Sequence, residues 1–210
     1  MADTAPLLFP PRVVARDRKG DRTREQLFQA AIEEFRRVGV AEAGIGQIAA
    51  RAGTSRANFY FYYRSKEAVL LDMQSRLERD IVERIAARAT LREALTEVID
   101  ALIDVEARLD PELLREALSV YIRRPPGLDL NAQPFPLRSE VARRFSEDAA
   151  GGARAREARA GLDPEQATHL FLGGLFGLLV NPRGPVAARR DEALQLVGLF
   201  LESPPPAARS

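Results

Sequence analysis

The chain lacks cysteine altogether and has one histidine among its 210 residues. The first absence excludes a disulfide framework, thiol nucleophile chemistry and thiolate zinc sites. With one histidine, no Gly-rich phosphate loop and no Gly-x-Ser-x-Gly elbow, the usual materials of acid–base, phosphoryl-transfer and serine chemistry are missing. No catalytic residue, metal ligand set or cofactor is therefore expected. The longest apolar run, Leu170 to Val180, carries three glycines and is too short to cross a bilayer. Asp3 stands early, and no apolar stretch beside it has the length of a signal peptide, so no membrane partner and a cytoplasmic location are expected. Charge of either sign is also nearly lacking in the balance, which is +1. It is unevenly placed: residues 1–70 hold 12 Lys and Arg against 8 Asp and Glu, and the remainder 19 against 22. A basic head on an acidic body suits a polyanion at one end, and solvated surface charge gives the same asymmetry by chance.

What is present is helical periodicity. No run alternates with period two for long, whereas apolar residues recur at three and four along most of the chain, which predicts an all-α fold of about nine helices. A hydrophobic content of 46% supports one substantial core or two small ones. Residues 1–20 read as a flexible basic arm whose Arg12, Arg16, Arg18 and Lys19 are able to reach phosphates. The first helix is expected over Asp21 to Val38, stopped by Gly39. A short helix carrying Ile45, Ile48, Ala49 and Ala52 inward follows, then a break at Gly53 and a second short helix capped by Ser55, with Phe59 and Tyr63 anchoring the core.

From Ser65 a long helix repeats Val69, Met73, Leu77, Ile81 and Ile85. The next shows a seam of Leu91, Leu95, Val98, Leu102, Val105 and Leu109. Asp110-Pro111-Glu112 and Asp163-Pro164-Glu165 each read as a helix start. Residues 123–136 are a loop by their prolines and glycine. A helix around Val141 and Phe145 follows, and the last helix is placed at about Arg189 to Leu201. The tail 204–210 is expected to be disordered.

Two short helices joined by a Gly-containing turn are what a helix-turn-helix uses to place one helix in a DNA major groove. Thr54, Ser55, Arg56, Ala57 and Asn58 open the second of them. Arginine pairs with guanine and asparagine with adenine, while alanine allows close approach or meets a thymine methyl. Tyr60 and Tyr62 are able to donate to phosphate, and Lys66 begins the next helix, where charge and helix dipole favour the same backbone. The plainer alternative is two helices packing in an all-α core, with the tyrosines as core aromatics and Arg56 as a solvated charge.

The residues Thr23-Arg24, Ala30-Ala31, Phe35, Gly39, Ile48-Ala49, Ala52-Gly53, Ser55, Phe59-Tyr60 and Ser65-Lys66-Glu67 give this segment its resemblance to the DNA-binding domain of the TetR family of bacterial transcriptional regulators. The match covers about 48 residues. The resemblance implies a helix-turn-helix from Gly44 to Tyr63 within a DNA-binding domain at 21–66. Arg56, Ala57 and Asn58 would face bases and Ser55, Tyr60, Tyr62 and Lys66 phosphates, with Gln47 and Thr54 at the same interface. Gly44 departs from the Thr or Ser that usually caps the second helix, Gly46 loosens that helix, and Ala57 replaces the more frequent Gly.

For residues 67–203 the resemblance implies a ligand-sensing and dimerisation domain. A double-stranded operator, a second copy of the chain and a small, largely apolar effector are the implied partners, and release of a palindromic operator the usual outcome. The segment 169–180 is apolar on all sides and so reads as buried all round. Leu170, Gly173, Gly174 and Gly177, with Leu194, Val197, Phe200 and Leu201, are the candidate dimer surface, the alternative being a core helix of one subunit. Leu77, Ile81, Leu102, Leu113, Tyr121, Phe135, Phe145 and His169 are candidates to line an effector cavity, or else to fill the core. His169 lies four residues after Glu165, a spacing that fits a helical pair better than a metal site. An enzyme and a purely protein-binding helical module are the rival classes, and steep salt dependence of DNA retention separates the second from a regulator.

Overall fold

The computed structural model describes residues 19–109, 111–123, 136–151, 157–159, 161–180 and 184–201, with backbone alone at 19, 111, 121–123 and 187. Among them the regular elements are nine α-helices: α1 Lys19–Glu42, α2 Ile45–Arg51, α3 Arg56–Tyr62, α4 Lys66–Ala86, α5 Leu91–Arg108, α6 Pro111–Arg123, α7 Pro136–Ala150, α8 Pro164–Val180 and α9 Val186–Phe200. The all-α reading of the sequence holds. An isolated antiparallel bridge between Ala158 and Leu201 is the one strand-like pairing among the described residues. The arm with Arg12, Arg16 and Arg18, the capping candidate Asp110, the greater part of the 123–136 loop and the tail lie outside the described residues.

Local chemistry sets the helix limits. Helical geometry in α1 breaks at Gly39, as expected, with φ 80 and ψ 159, a region only glycine enters without strain. Ser65 Oγ accepts from the Ala68 N–H at 3.4 Å at the start of α4. Ahead of α5, Thr90 Oγ1 accepts from the Glu93 N–H and Glu93 Oε2 from the Thr90 N–H, both at 3.2 Å, a reciprocal capping box. Asp163 Oδ1 accepts from the Gln166 N–H at 2.8 Å, so this Asp-Pro-Glu start caps α8 as its sequence implies. The last helix begins at Val186, earlier than its charged residues suggest, because Pro185 is the N-cap and its carbonyl accepts from the Arg189 N–H.

The chain divides into two compact units, Met1–Gln74 with Arg108–Leu130, and Ser75–Ala107 with Asn131–Ser210. The division falls inside α4, and α6 groups with the N-terminal helices. In the first unit Leu27, Phe28, Ile32, Phe35, Ile48, Phe59, Tyr63, Val69 and Met73 are buried, together with Leu113, Ala117 and Val120 of α6. In the second, Ile81, Ile85, Leu95, Val98, Val141, Phe145, Phe171 and Phe200 form one core cluster. Phe200 meets Phe171 and Phe145 edge-on at 5.9 and 6.2 Å. Of the α5 seam, Leu91, Leu95, Val98 and Val105 are buried and Leu102 half-buried. The segment after α7 is pinned by carboxylates: Asp148 accepts from the Glu157 and Ala158 N–H groups at 2.8 and 2.9 Å, and Glu157 accepts from the Arg92 N–H at 2.8 Å.

Helices α8 and α9 divide their apolar residues differently between core and surface. α8 is not buried all round in the single chain: Leu170, Gly173, Gly177 and Val180 are exposed, while Ala167, Phe171 and Leu175 turn inward. On α9, Val197, Phe200 and Leu201 are buried in their own unit's core and Leu194 packs half-buried against it. Val197, Phe200 and Leu201 therefore do not offer a surface to a second copy. Leu199, 63% exposed, is the more exposed of the large apolar side chains that α9 turns outward, the other being Val186. Gly174 belongs to the α8–α9 contact, since a Cβ there would lie 3.1 Å from Leu196 Cδ1.

Candidate DNA-binding interface

In the first unit the two short helices are held by their buried faces and by polar ties to α1 and α4. Ile48 and Ala49 bury one side of α2 and Phe59 one side of α3. Glu34 on α1, 2% exposed, takes two bonds from Arg37 at 2.6 and 3.1 Å and one from Arg51 of α2 at 3.5 Å. The Arg37 bonds hold its carboxyl below the usual carboxylate range. Between them, α2 ends on a tight turn in which Gly53 has φ 66 and the Thr54 N–H returns to the Ala49 carbonyl at 2.9 Å.

A buried network fixes α3 to α4. Tyr63 Oη donates to Asp72 Oδ2 at 2.6 Å, and Arg24 of α1 donates to the same oxygen at 3.2 Å while lying over the Tyr63 ring. This accounts physically for the Arg24 and Tyr63 positions, which periodicity alone reads as surface charge and core aromatic. Burial, then the Asp72 carboxylate, push the Tyr63 hydroxyl well above the ordinary tyrosine value. A raised folded value means that the contribution to stability is complete below the unfolded tyrosine range of about 10 and is lost as pH climbs through the folded value. Tyr63→Phe should lower the unfolding free energy by about 1.5–3 kcal/mol, the range for a hydrogen bond to a charged group. Urea denaturation at neutral pH measures the loss, and the decline in alkali should be weaker in the variant.

The outward side of α3 carries the predicted base-facing residues. Ser55 is its N-cap and accepts from the Asn58 N–H at 3.1 Å. Arg56 and Ala57 are exposed and Asn58 is half-buried. Arg56 stacks over the Tyr60 ring at 5.8 Å, and Asn58 Nδ2 donates to Thr54 Oγ1 at 2.7 Å, so both polar side chains start from defined positions. Tyr60 is exposed and Tyr62 half-buried. Gly44 is the N-cap of α2, with no side-chain cap. Gln47 folds its amide into the space a Gly44 Cβ would occupy, Oε1 lying 1.7 Å from that point. The sequence reading missed Phe61, 79% exposed on the same helix, although its offset of two from both Phe59 and Tyr63 places it on the opposite face.

Lys66 is the clearest correction. Its Nζ donates to the carbonyls of Val40, Ala41 and Ala43 at 2.6, 2.8 and 3.1 Å. All three ammonium donors are thus committed to the chain just after Gly39, and the side chain serves as a clamp rather than a phosphate ligand. The chain has only two lysines, Lys19 and Lys66, against a large excess of arginine. A compact ammonium suits three converging oxygens as a planar guanidinium does not. Lys66→Met should cost about 2–4 kcal/mol by the loss of these charge-assisted bonds. Lys66→Arg should recover less than half of that in thermal unfolding.

The effector candidates do not gather in one unit. Leu113 is buried in the first unit, beside Phe35 and Val40 in a recess also lined by Glu112 and Glu116. Leu77, Ile81, Leu102, Phe145 and His169 belong to the second. There Ile81 and Phe145 are core, Leu77 and Leu102 are half-buried, and His169 is exposed on α8, so it lines no cavity. Glu165 is bonded to Arg138 at 3.2 Å, which replaces the helical pair with His169 that the spacing suggested. The Tyr121 side chain and Phe135 lie outside the described residues. Leu102 does line an apolar recess of the second unit with Ile99, Ile103, Leu175, Leu178 and Leu179. Its polar edge is the Arg189–Glu106 ion pair at 2.7 Å, whose Arg189 Nε and Glu106 Oε2 are buried without hydrogen-bond partners.

The geometry of α2, turn and α3 defines a helix-turn-helix protein. Residues 27–73 match the family model described as bacterial regulatory proteins, tetR family. The chain is 35% identical over 80 residues to the uncharacterised HTH-type transcriptional regulator YvdT of Bacillus subtilis, covering 38% of this chain and 41% of that protein. It is 33% identical over 98 residues to the HTH-type transcriptional repressor SCO4008 of Streptomyces coelicolor, covering 47% and 49%. The chain thus spans about half the length of these curated relatives. Its fold is similar to that of the Thermus thermophilus FadR, a TetR-family repressor solved with lauroyl-CoA, with TM-score 0.67 and 26% identity over 89% of this chain and 100% of that one. Residues 27–73 thus carry a DNA-binding domain of the TetR family of helix-turn-helix transcriptional regulators.

Proposed function

We propose that this chain is a cytoplasmic, ligand-responsive repressor that binds a palindromic DNA operator as a homodimer. The observation that carries the reading is the outward face of α3, where Arg56, Ala57 and Tyr60 are exposed behind a Ser55 cap. Ser55, Tyr60 and Tyr62 serve the phosphates, and Arg56 and Asn58 the base edges. Because a seven-residue helix reads few base pairs, two heads spaced roughly 34–36 Å apart are needed to meet successive major grooves. The exposed α8 stripe of Leu170, Gly173, Gly177 and Val180 supports pairing. A Cβ built on Gly173 or Gly177 meets nothing within 4 Å, so a second helix has room to approach. That no helix of the described residues is long and apolar enough to cross a membrane is consistent with this location.

The effector is a small, largely apolar molecule with a polar end, and its candidate site is the recess at Leu102 bounded by Arg189 and Glu106, which must widen to admit it because its volume is only about 20 Å³. The fatty-acyl-CoA that the Thermus relative holds makes that class the first probe. Ligand acts through α4, which contributes residues to both units, and only by binding one head spacing better than the other.

Selection from random duplexes, followed by titration of the enriched duplex against a scrambled one, tests the reading. A palindromic consensus is expected, with affinity falling linearly in log salt by about 0.9 per phosphate neutralised. Enrichment of no sequence, or retention insensitive to salt, would overturn it. Acyl-CoA should weaken operator binding, and indifference to it would remove that effector class.

A further inference from the structure

The inward face of α3 is set by Phe59 and Tyr63, both buried. With 3.6 residues per turn, the ridge opposite that face is held by Ala57 and, one turn on, Phe61. Among the described residues Phe61 is the most exposed of the large hydrophobic side chains, whereas Phe28, Phe35, Phe59, Phe145, Phe171 and Phe200 are all buried. The polar side chains beside this ridge are engaged locally: Arg56 on the Tyr60 ring and Asn58 on Thr54. Tyr62 supports Phe61 from the side, its ring edge-on at 5.0 Å. The strip of α3 that reaches furthest outward is therefore apolar, and it is flanked on both sides by polar groups suited to base edges and phosphates.

We propose that Phe61 is a specificity-determining residue that reads thymine through its C5-methyl group. Among the features that base pairs present in the major groove, that methyl is the one apolar surface. An adenine, guanine or cytosine edge covered by the Phe61 ring would lose water without gaining a hydrogen bond. Ala57, with its single methyl group, leaves the clearance that lets a ring one turn later reach the bases. The inference rests on the DNA-reading function proposed above and adds to it the base that one unassigned side chain selects.

The test uses the full chain and the duplex it enriches from a random library. Each thymine is replaced singly by 2′-deoxyuridine, which removes only the methyl group. For the unsubstituted protein, one position in each half-site should weaken binding about threefold to tenfold, the scale of one buried methyl group. Phe61→Ala should bind the parent duplex more weakly by a similar factor and be indifferent to deoxyuridine at that position. Phe61→Leu should keep part of the sensitivity, and circular dichroism should show both variants folded, since Phe61 supports no core. If no thymine is methyl-sensitive, or if Phe61→Ala keeps the sensitivity while weakening every duplex alike, Phe61 touches sugar, phosphate or another protein and the inference fails. Failure of the unsubstituted chain to enrich any sequence would be the distinct failure of the function itself.

Discussion

Replacing Arg56 and Asn58 together by alanine should leave a folded chain that still binds DNA but has lost most of its ability to choose a sequence. Both side chains lie on the outer part of α3, and what they touch within the protein is the Tyr60 ring and Thr54 Oγ1. The cap of α3 survives the change, because it runs from the Asn58 backbone N–H to Ser55 Oγ. Stability should therefore move by no more than about 0.5 kcal/mol. Each bidentate base contact is worth about 1–3 kcal/mol of discrimination, so two lost from one head cost at least about thirtyfold. Binding to scrambled duplex, which depends on phosphate contacts, should change far less. Competition between the enriched and scrambled duplexes measures the ratio directly. A ratio equal to that of the parent protein would mean that α3 is not the reading element.

Leu170→Glu should turn the proposed dimer into a monomer and weaken operator binding by about a hundredfold or more, because linked heads gain that much from effective concentration. Leu170 is 54% exposed in the single chain, so the substitution removes little of the unit's own core. In a two-subunit contact it would bury a carboxylate without a partner. Sedimentation velocity separates the outcomes: a stable dimer of the variant would mean that the α8 stripe is not the contact. Val197, Phe200 and Leu201 are poor choices for such an experiment, since all three are buried within their own unit. Substituting them would unfold that unit rather than dissociate two.

These two cases show where sequence was informative. Phe59 and Tyr63, four apart on a short segment, could only anchor a helix inward, and the same periodicity located the α4 stripe and most of the α5 seam. The stop at Gly39 and the cap at Ser55 were legible because each depends on one residue's own chemistry. α8 is apolar on every side, so no stripe marks which face turns in toward its own unit. α9 carries Leu199 between Val197 and Phe200, and composition does not say which of them faces the core. The Lys66 clamp joins residues 23 to 26 positions apart, beyond any local pattern. Arg24 and Asp72, 48 positions apart, escape such patterns for the same reason. His169 drew attention by rarity, yet α8 simply turns it to solvent.

The three carbonyls around Lys66 also make that amine a natural clock for the reading head. Acylation requires the amine nitrogen to reach the reagent, and a nitrogen held against three backbone oxygens is not free to do so. Lys66 should therefore be modified only in the moments when the end of α1 parts from the start of α4, so its labelling rate relative to the denatured chain counts those openings. Lys19 is the only other lysine side chain, and peptide masses distinguish the two, so the measurement needs no engineered probe.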